Sequence, residues 1–326
     1  MRLATQRNDG PDGELMMVAN DRRRWTSAAG IAPDLQRAVE QWADVAPKLA
    51  ELASMLDAGH VQGTPIDPGH ALCPLPRAYQ WLDGSAYLAH GRLMQRAFKL
   101  ESNPQADTIP LMYQGGSDRF VPPSADVPFV SEADGIDFEG EFAVIVDEVP
   151  MAITAAAALR HVLLVMIAND WSLRSLAPRE MRSGFGFLQA KPATSFAPFA
   201  VTPEELGSAW QNGRVDLPMR VWRDGKLFGA PPGGAMDYDF GQLIEHAART
   251  RSLSAGTIIG SGTVSVGDPF GVGCSCIAEL RGGEMIEGGE ARTGYLRFGE
   301  RARIEVTDAA GMSVFGALDQ HVVQYS

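Results

Sequence analysis

Two carboxylates stand two residues apart in the otherwise apolar stretch Phe138-Glu139-Gly140-Glu141-Phe142. In a strand, both side chains leave the same face, about 7 Å apart at the backbone. Two anions on one face repel each other, and a bound cation relieves that repulsion. Oxygen ligands suit Mg²⁺ or Ca²⁺. The motif is equally compatible with a solvated strand face, so alone it leaves both interpretations open.

Asp170 lies at the end of an unbroken apolar run, residues 162–168. Such a run predicts a fully buried strand. The carboxylate that emerges from it needs a partner, because burying a lone charge is costly. Arg174 would be a structural partner and a metal ion a functional one. The sequence leaves both open.

Other residues that can do acid–base chemistry give little signal one at a time. His90 alone is typical of a hydrogen-bonded structural histidine, and Asp83, which precedes Gly84, is typical of a turn. Glu279 follows a short apolar stretch in a predicted strand, where a lone glutamate is usually exposed. Lys191 alone is typical of a surface lysine.

The three cysteines are Cys73, Cys274 and Cys276. A sparse, odd number does not indicate a disulfide framework. The spacing Cys274-x-Cys276 suggests a soft-metal site, but the sequence offers no second cysteine pair and no nearby histidine to complete one. We therefore expect small buried side chains in a strand.

The order and spacing of these residues raise their significance, because together they resemble the fumarylacetoacetate hydrolase family over residues 75–316. The resemblance is carried by Asp83 with His90 seven positions later, Met112-Tyr113-Gln114-Gly115, Glu139-Gly140-Glu141, Asn169-Asp170-Trp171-Ser172-Leu173-Arg174, Lys191, Gly260-Ser261-Gly262-Thr263 and Glu279. The Glu-x-Glu and Asn-Asp-Trp-Ser motifs, about thirty residues apart, are its specific part.

The resemblance implies a role for each matching position. The implied metal ligands are Asp83, Glu139, Glu141 and Asp170, which hold Mg²⁺ or Ca²⁺, with Mn²⁺ as a further candidate. The implied catalytic groups are His90 and Glu279, which activate water, and Arg174 and Lys191, which stabilise developing negative charge. The implied substrate contacts are Tyr113, Lys99 and Thr263.

Three positions depart from the family pattern. Lys99 stands where well-known members have arginine, Ser85 where some have tyrosine, and Ala177 where some have glutamine. These departures affect the choice of substrate and leave the metal ligands and the water-activating pair intact.

The resemblance also implies a reaction and an assembly. The reaction is hydrolysis of a carbon–carbon bond in a β-diketo acid, with fumarylacetoacetate as the first candidate, and the assembly is a homodimer. A relative that acts as an acylpyruvase, an oxo-acid decarboxylase or an isomerase is the alternative, because the same metal-assisted chemistry serves all of them. A non-catalytic, metal-stabilised binding dimer is a further alternative, which the presence of both His90 and Glu279 disfavours.

A strand-rich fold has to position these residues. We expect an α+β, mostly β protein, in which residues 71–326 form a catalytic domain with the mixed β-sheet roll that the resemblance implies. Residues 1–70 are expected to form a small N-terminal domain. Apolar spacing predicts a helix over residues 33–56, kinked or split at Pro47.

Local motifs predict further elements. Asp224-Gly225 predicts a hairpin turn, and a two-strand pattern surrounds Gly282-Gly283. Thr202-Pro203-Glu204-Glu205 has the form of a helix capping box, and Asp239 begins a weaker version of it.

Composition excludes some classes of protein. The 326 residues carry a formal net charge of −12, and 45% of them are hydrophobic. An acidic chain lacks the basic surface that nucleic-acid binding needs. No run approaches the ~18 apolar residues of a membrane span, and the first residues lack the apolar stretch of a signal peptide. We expect a cytoplasmic enzyme with no nucleic-acid or membrane partner.

Overall fold

A mixed β-sheet of 13 strands dominates the computed structural model, which describes residues 1–99, 105 and 107–325. The strands are β1 (Arg2–Gln6), β2 (Glu14–Val18), β3 (Arg24–Ser27), β4 (Thr64–Pro65), β5 (Ala71–Leu72), β6 (Trp81–Gly84), β7 (Met112–Gly115), β8 (Val127–Phe129), β9 (Ile136–Asp137), β10 (Gly140–Val146), β11 (Val162–Leu173), β12 (Ala193–Phe196), β13 (Phe199–Val201), β14 (Trp210–Gln211), β15 (Arg214–Val215), β16 (Arg220–Arg223), β17 (Lys226–Gly229), β18 (Ile258–Thr263), β19 (Arg301–Thr307) and β20 (Ser313–Gln324). The α-helices are α1 (Leu35–Glu40), α2 (Trp42–Asp57), α3 (Leu88–Phe98), α4 (Ala155–Ala158), α5 (Ala177–Ser183), α6 (Phe240–Ala247) and α7 (Ile277–Gly288).

The main sheet runs in the order β4-β3-β2-β1-β13-β11-β10-β18-β6-β7, with β5, β9 and β12 paired alongside. A second sheet has the order β17-β16-β19-β20-β8, and β14 pairs with β15. Most neighbours are antiparallel, whereas β6 with β18 and β8 with β20 are parallel. The predicted fold class, mostly β with mixed sheets, is confirmed.

Strand β11 is the buried centre of the main sheet, as its apolar run predicts. All twelve of its residues are buried. Its side chains alternate between two hydrophobic clusters, so that Val165 and Ile167 face one cluster while Leu164 and Met166 face the other. This two-sided burial explains why the run shows no polar alternation.

The N-terminal segment shares the main sheet with the rest of the chain. Strand β1 pairs with β2 on one side and with β13 on the other. Leu35, Val39, Val45 and Leu49 of α1 and α2 pack into the same cluster as residues of β10 and β11. The two helices therefore cover one face of the strands that carry the candidate site.

The predicted N-terminal helix is divided at Gln41 rather than at Pro47. Gln41 has φ −122° and ψ 30°, outside the helical region, and α2 continues through Pro47. The expected break at Pro47 is wrong because the proline leaves only the carbonyl of Ala43 without a donor, and Ala43 lies in the first turn of α2.

The strands expected around Gly282-Gly283, and the strand expected at Glu279, are replaced by helix α7. A Cβ on Gly282 would stand 2.6 Å from Leu93 Cδ2, and one on Gly283 would stand 2.6 Å from Pro269 Cγ. These glycines therefore permit close packing of α7 against α3 and a neighbouring loop. Cys276 and Cys274 are buried as expected but precede α7 instead of lying in a strand.

Three turn and capping predictions have different outcomes. The Asp224-Gly225 hairpin is confirmed, and both residues have positive φ, 48° and 74°, as a type I′ turn requires. Thr202 provides no side-chain cap, and residues 203–209 form 3₁₀ helix. The weaker motif at Asp239 forms a complete capping box with Gln242. Within the described residues, no helix is long and apolar enough to cross a bilayer.

Candidate active site

Five neighbouring strands, β11, β10, β18, β6 and β7, bring the predicted site residues to one region of the main sheet. Glu141 on β10 lies directly opposite Thr263 on β18. Asp83 on β6 lies opposite Tyr113 on β7. The Tyr113 hydroxyl reaches across to donate to Asp170 Oδ2 at 2.6 Å. Residues distant in sequence are thus joined by strand pairing.

Three carboxylates converge at the centre of this region. Ligand oxygens of Asp83, Glu141 and Asp170 lie within 4.8 Å of one another, and the three residues are at most 4% exposed. Gly260 allows this approach, since a Cβ there would stand 2.3 Å from Asp83 Oδ1. We call these three residues the carboxylate cluster.

Glu141 is the member of the carboxylate cluster that most needs a cation. Both of its carboxylate oxygens are buried, and neither has a hydrogen-bond partner in the described part of the chain. Burial and then the charges of Asp83 and Asp170 raise the pKa of Glu141 well above its ordinary value. Burial and Asp170 likewise raise the pKa of Asp83 to about 8. Buried carboxylate oxygens without donors are the ligand set that hard divalent cations prefer, so these residues fit such an ion.

Glu139 lies outside the carboxylate cluster and is held by two cations. Its Oε1 accepts from Arg174 Nη2 at 2.6 Å, and its Oε2 accepts from Lys191 Nζ. Burial opposes ionisation, but Lys191 and Arg174 outweigh it and lower the pKa of Glu139 to about 2. Glu139 sits just before β10 rather than within it, which separates it from Glu141.

Lys191 links Glu139 to the carboxylate cluster. Its Nζ also donates to Asp170 Oδ2 at 2.6 Å. Burial would lower the pKa of Lys191, but Asp170 and Glu139 outweigh burial and raise it, so the side chain is a fixed positive charge. Thr194, which the sequence analysis did not single out, donates to Asp170 Oδ1 at 2.9 Å.

Asp137 is a second residue that the sequence analysis missed. Its carboxylate is fully buried and accepts from Arg174 Nε at 2.8 Å. It also accepts the backbone N–H groups of Ile277 at 2.7 Å and Ala278 at 2.9 Å, at the start of α7. Asp137 therefore positions both Arg174 and the helix that carries Glu279. The same two-residue spacing that drew attention to Glu139 could have indicated it.

The predicted water-activating pair comes together where α3 packs on α7. His90 Nδ1 lies 3.9 Å from Glu279 Oε1, too far for a direct hydrogen bond. Glu279 instead accepts from the Ser265 hydroxyl. Glu279 is tied to the same region by Asp137, which binds Arg174 and also accepts the backbone N–H groups at the start of α7.

The two remaining predicted substrate contacts differ in exposure. Thr263 is buried beside Glu141. Lys99 is exposed at the C-terminal end of α3 with φ 51°, and within the described residues no ion pair joins its side chain to the site. The geometry thus gathers ten of the predicted residues and leaves Lys99 at the periphery.

Comparison with known proteins gives consistent matches. A family model described as "Fumarylacetoacetate (FAA) hydrolase C-terminal" matches residues 80–323, and one described as "Fumarylacetoacetase N-terminal domain 2" matches residues 1–77. A rice (Oryza sativa subsp. japonica) fumarylacetoacetase is 25% identical over 240 residues, which are 61% of this chain and 56% of that protein. The oxaloacetate tautomerase YisK of Bacillus subtilis is 29% identical over 154 residues, 47% of this chain and 48% of its own. The match therefore spans about half the length of these two relatives.

Similarity to solved structures covers the whole chain. A maleylpyruvate hydrolase from Sphingobium sp. SYK-6, crystallised with manganese(II) and pyruvate, superposes with a TM-score of 0.67 at 16% identity and covers 100% of both chains. At this identity the likeness concerns the fold.

Proposed function

This chain belongs to the fumarylacetoacetate hydrolase family, and we propose that it is a metal-dependent hydrolase that cleaves a carbon–carbon bond in a β-diketo acid, with fumarylacetoacetate as the first candidate. The family matches together cover residues 1–77 and 80–323. Its relatives include hydrolases and a tautomerase. The reaction and the substrate are therefore the parts of the proposal that need an experiment.

The observation that carries the proposal is the buried Glu141, which has no hydrogen-bond partner among the described residues and lies beside Asp83 and Asp170. A protein that only needed stability would gain from apolar side chains here, because each uncompensated buried carboxylate is destabilising. A divalent cation makes the arrangement favourable. When bound, it would act as a Lewis acid towards a substrate oxygen. We propose Mg²⁺ or Mn²⁺, with Ca²⁺ as the alternative.

The chain's own residues supply the remaining chemistry. His90 takes a proton from water, which requires a neutral imidazole, and Glu279 orients the ring after a shift of about 1 Å brings them within hydrogen-bond distance. Lys191 and Arg174 carry fixed positive charge and offset the negative charge that develops on the attacked carbonyl oxygen. Asp137 and Glu139 hold Arg174 in position for this.

The substrate range is expected to be broad. Ser85 and Ala177 are smaller than the tyrosine and glutamine that some relatives have, so they leave space near the reacting carbons. A missing amide donor at position 177 removes one contact to the developing oxyanion, a loss of ~3 kcal/mol if nothing replaces it. We propose that the enzyme accepts shorter acylpyruvates better than a specialised relative does. The maleylpyruvate hydrolase with similar fold favours this extension.

We also propose a homodimer, following the family. Its support in the structure is the exposure of Phe185 (99%) and Leu188 (83%), which a second copy could cover. Light scattering after size-exclusion chromatography measures the mass directly, and a monomer at micromolar concentration contradicts this part of the proposal.

The deciding experiment is a substrate panel with purified protein and either Mg²⁺ or Mn²⁺. Parallel kcat/KM values are measured for fumarylacetoacetate and two shorter acylpyruvates, and keto–enol exchange is measured for oxaloacetate. Glu141→Ala serves as the matched inactive control for contaminating activities. Cleavage of shorter acids without cleavage of fumarylacetoacetate shows that the substrate is misassigned. Exchange of oxaloacetate without cleavage of any acid identifies a tautomerase instead.

A further inference from the structure

We propose that His90, Cys276 and Glu279 form a second metal site, selective for soft or borderline cations such as Zn²⁺ and Cd²⁺, and that filling it inhibits the enzyme. We call these three residues the thiol site. Binding at the thiol site is independent of the proposed function, whereas the inhibition rests on it. The carboxylate cluster has only oxygen donors, so the two sites differ in chemistry.

The histidine that the cysteine motif lacks in sequence is supplied by the fold. One ligand atom each from His90, Cys276 and Glu279 lies within 4.8 Å of the others. His90 comes from α3, Cys276 immediately precedes α7, and Glu279 lies in the first turn of α7. The glycine-mediated packing of α3 against α7 is what brings them together.

The donor set is that of a zinc site with one open position. Zinc binds thiolate sulfur at about 2.3 Å and imidazole nitrogen or carboxylate oxygen at about 2.0–2.2 Å, with tetrahedral geometry. Tetrahedral ligand atoms at these bond lengths stand roughly 3.3–3.8 Å apart, so a closure of about 1 Å completes the site. Thiolate selects soft and borderline cations, whereas Mg²⁺ and Ca²⁺ prefer oxygen.

The polar atoms of the thiol site are poorly satisfied by the protein itself. His90 Nδ1 is buried, and it has no hydrogen-bond partner among the described residues. Glu279 is buried, and among the described residues its carboxylate accepts one hydroxyl hydrogen bond, from Ser265. Buried polar groups that lack partners are destabilising, and a cation between them satisfies both.

Access to the thiol site is past the side chain of His90, its most exposed member. The side chain of His90 is 18% exposed, whereas that of Glu279 is 2% exposed and Cys276 is fully buried. An ion that enters past His90 displaces the proton of the Cys276 thiol, which is released to solvent, and no electron transfer is involved. Because it replaces the proton through which His90 Nδ1 would contact Glu279, and because its positive charge makes the other ring nitrogen a weaker base, it blocks water activation.

Binding is tested on the full-length protein with the carboxylate cluster saturated by Mg²⁺. Cd²⁺ is titrated in, and the ultraviolet charge-transfer absorption of a Cd²⁺–thiolate bond is recorded. We expect one absorbing site in the wild type. Cys276→Ser should remove the absorption, and His90→Asn should weaken Cd²⁺ affinity at least ~10-fold, the usual scale for loss of one ligand-shell contact. Cys73→Ser is the matched control, since Cys73 is a buried thiol that donates to the Val121 carbonyl and packs in the hydrophobic cluster that contains α1 and α2.

The outcomes separate the two parts of the proposal. No absorption at excess Cd²⁺, or equal absorption in Cys276→Ser and wild type, overturns the thiol site. If the unfolding temperature shows that Cys276→Ser does not fold, the Cd²⁺ affinity of His90→Asn decides whether the thiol site exists, and an affinity equal to that of the wild type overturns it. In the second arm, Zn²⁺ should inhibit turnover in wild type and Cys73→Ser, and excess Mg²⁺ should not relieve it. Inhibition that Mg²⁺ relieves places Zn²⁺ in the carboxylate cluster and overturns the regulatory part. Absence of turnover on every acid counts against the proposed function and leaves the Cd²⁺ result standing.

Discussion

Replacing Asp83 by asparagine isolates the electrostatic repulsion in the carboxylate cluster. Asp83 Oδ1 accepts the backbone N–H of Gly262 at 3.1 Å, and asparagine keeps that acceptor while removing the charge. The pKa of Asp83 is about 8 in the folded protein against an ordinary 3.8. A carboxyl whose pKa is higher in the folded than in the unfolded chain keeps its proton longer when folded. The contribution of Asp83 to the free energy of unfolding is therefore greatest below the ordinary pKa, and it falls as the pH rises towards 8.

The size of the effect follows from the same two values. A difference of about 4 in pKa corresponds to a loss on the order of 5 kcal/mol between about pH 4 and pH 8 in the cation-free protein. For a chain of this length, that is a fall of roughly 5–10 °C in the unfolding temperature. Mn²⁺ should reverse the loss, because it pairs with the ionised carboxylates, and at ~1,000 times its Kd it adds about 4 kcal/mol.

The assay is thermal unfolding across this pH range, with EDTA or with Mn²⁺. Without a cation, the unfolding temperature of Asp83→Asn should fall less steeply with rising pH than that of the wild type. Mn²⁺ should also stabilise this variant much less. Glu284→Gln is the matched control, because Glu284 is a buried carboxylate whose donors are the backbone of Arg292 and Thr293. Glu284→Gln should lower stability mainly at the upper end of this pH range, because burial is outweighed by the hydrogen bonds from Thr293 and Arg292, which lower the pKa of Glu284, and it should leave the response to Mn²⁺ unchanged. A cation-free wild type whose stability stays level or rises between pH 4 and 8 refutes the reasoning.

Exhaustive chelation should abolish activity, and Mg²⁺ or Mn²⁺ should restore it. Full activity after chelation contradicts the metal role. Glu141→Ala should weaken metal affinity, measured by calorimetry, more than it lowers the unfolding temperature. His90→Ala should reduce kcat by roughly 10²-fold or more with metal binding nearly intact. Glu279→Gln should reduce kcat by a smaller factor. A wild-type kcat in His90→Ala favours the decarboxylase or isomerase alternative. Asp137→Asn should lower kcat about 10- to 100-fold, the scale of a lost charge-assisted hydrogen bond to Arg174, with little change in metal affinity, and an unchanged kcat shows that Asp137 is only structural.

Local sequence signals single out two members of the carboxylate cluster, Glu141 and Asp170, whereas Asp83 is indicated only by the family resemblance. An unbroken apolar run ends at Asp170, and Glu141 belongs to a short acidic alternation at the start of β10. Strand periodicity and the cost of buried charge therefore act within a few residues of each carboxylate. The pairing of distant strands that brings the carboxylates together was available only through the family resemblance.

Other features depend on partners far along the chain. Gly282 and Gly283 are typical of a turn when considered alone, yet α7 contains them because Leu93 and Pro269 occupy the space that side chains would fill. Asp137 gains its importance from the backbone of Ile277, 140 residues later. No window of sequence contains both partners, so tertiary packing overrode local propensity at these positions.

The parallel pairing of β6 with β18 bears on how the protein folds. The hydrogen bond from Gly262 to Asp83 closes a loop of 179 residues, and α7 comes later still. Contacts of such separation form slowly, after the local helices and hairpins. Strand β18 lies between β10 and β6 in the main sheet, so a growing chain on the ribosome cannot bring Asp83 to Glu141 before β18 has been synthesised. The divalent cation therefore cannot nucleate folding, and its stabilising effect should appear as slower unfolding, with the folding rate unchanged.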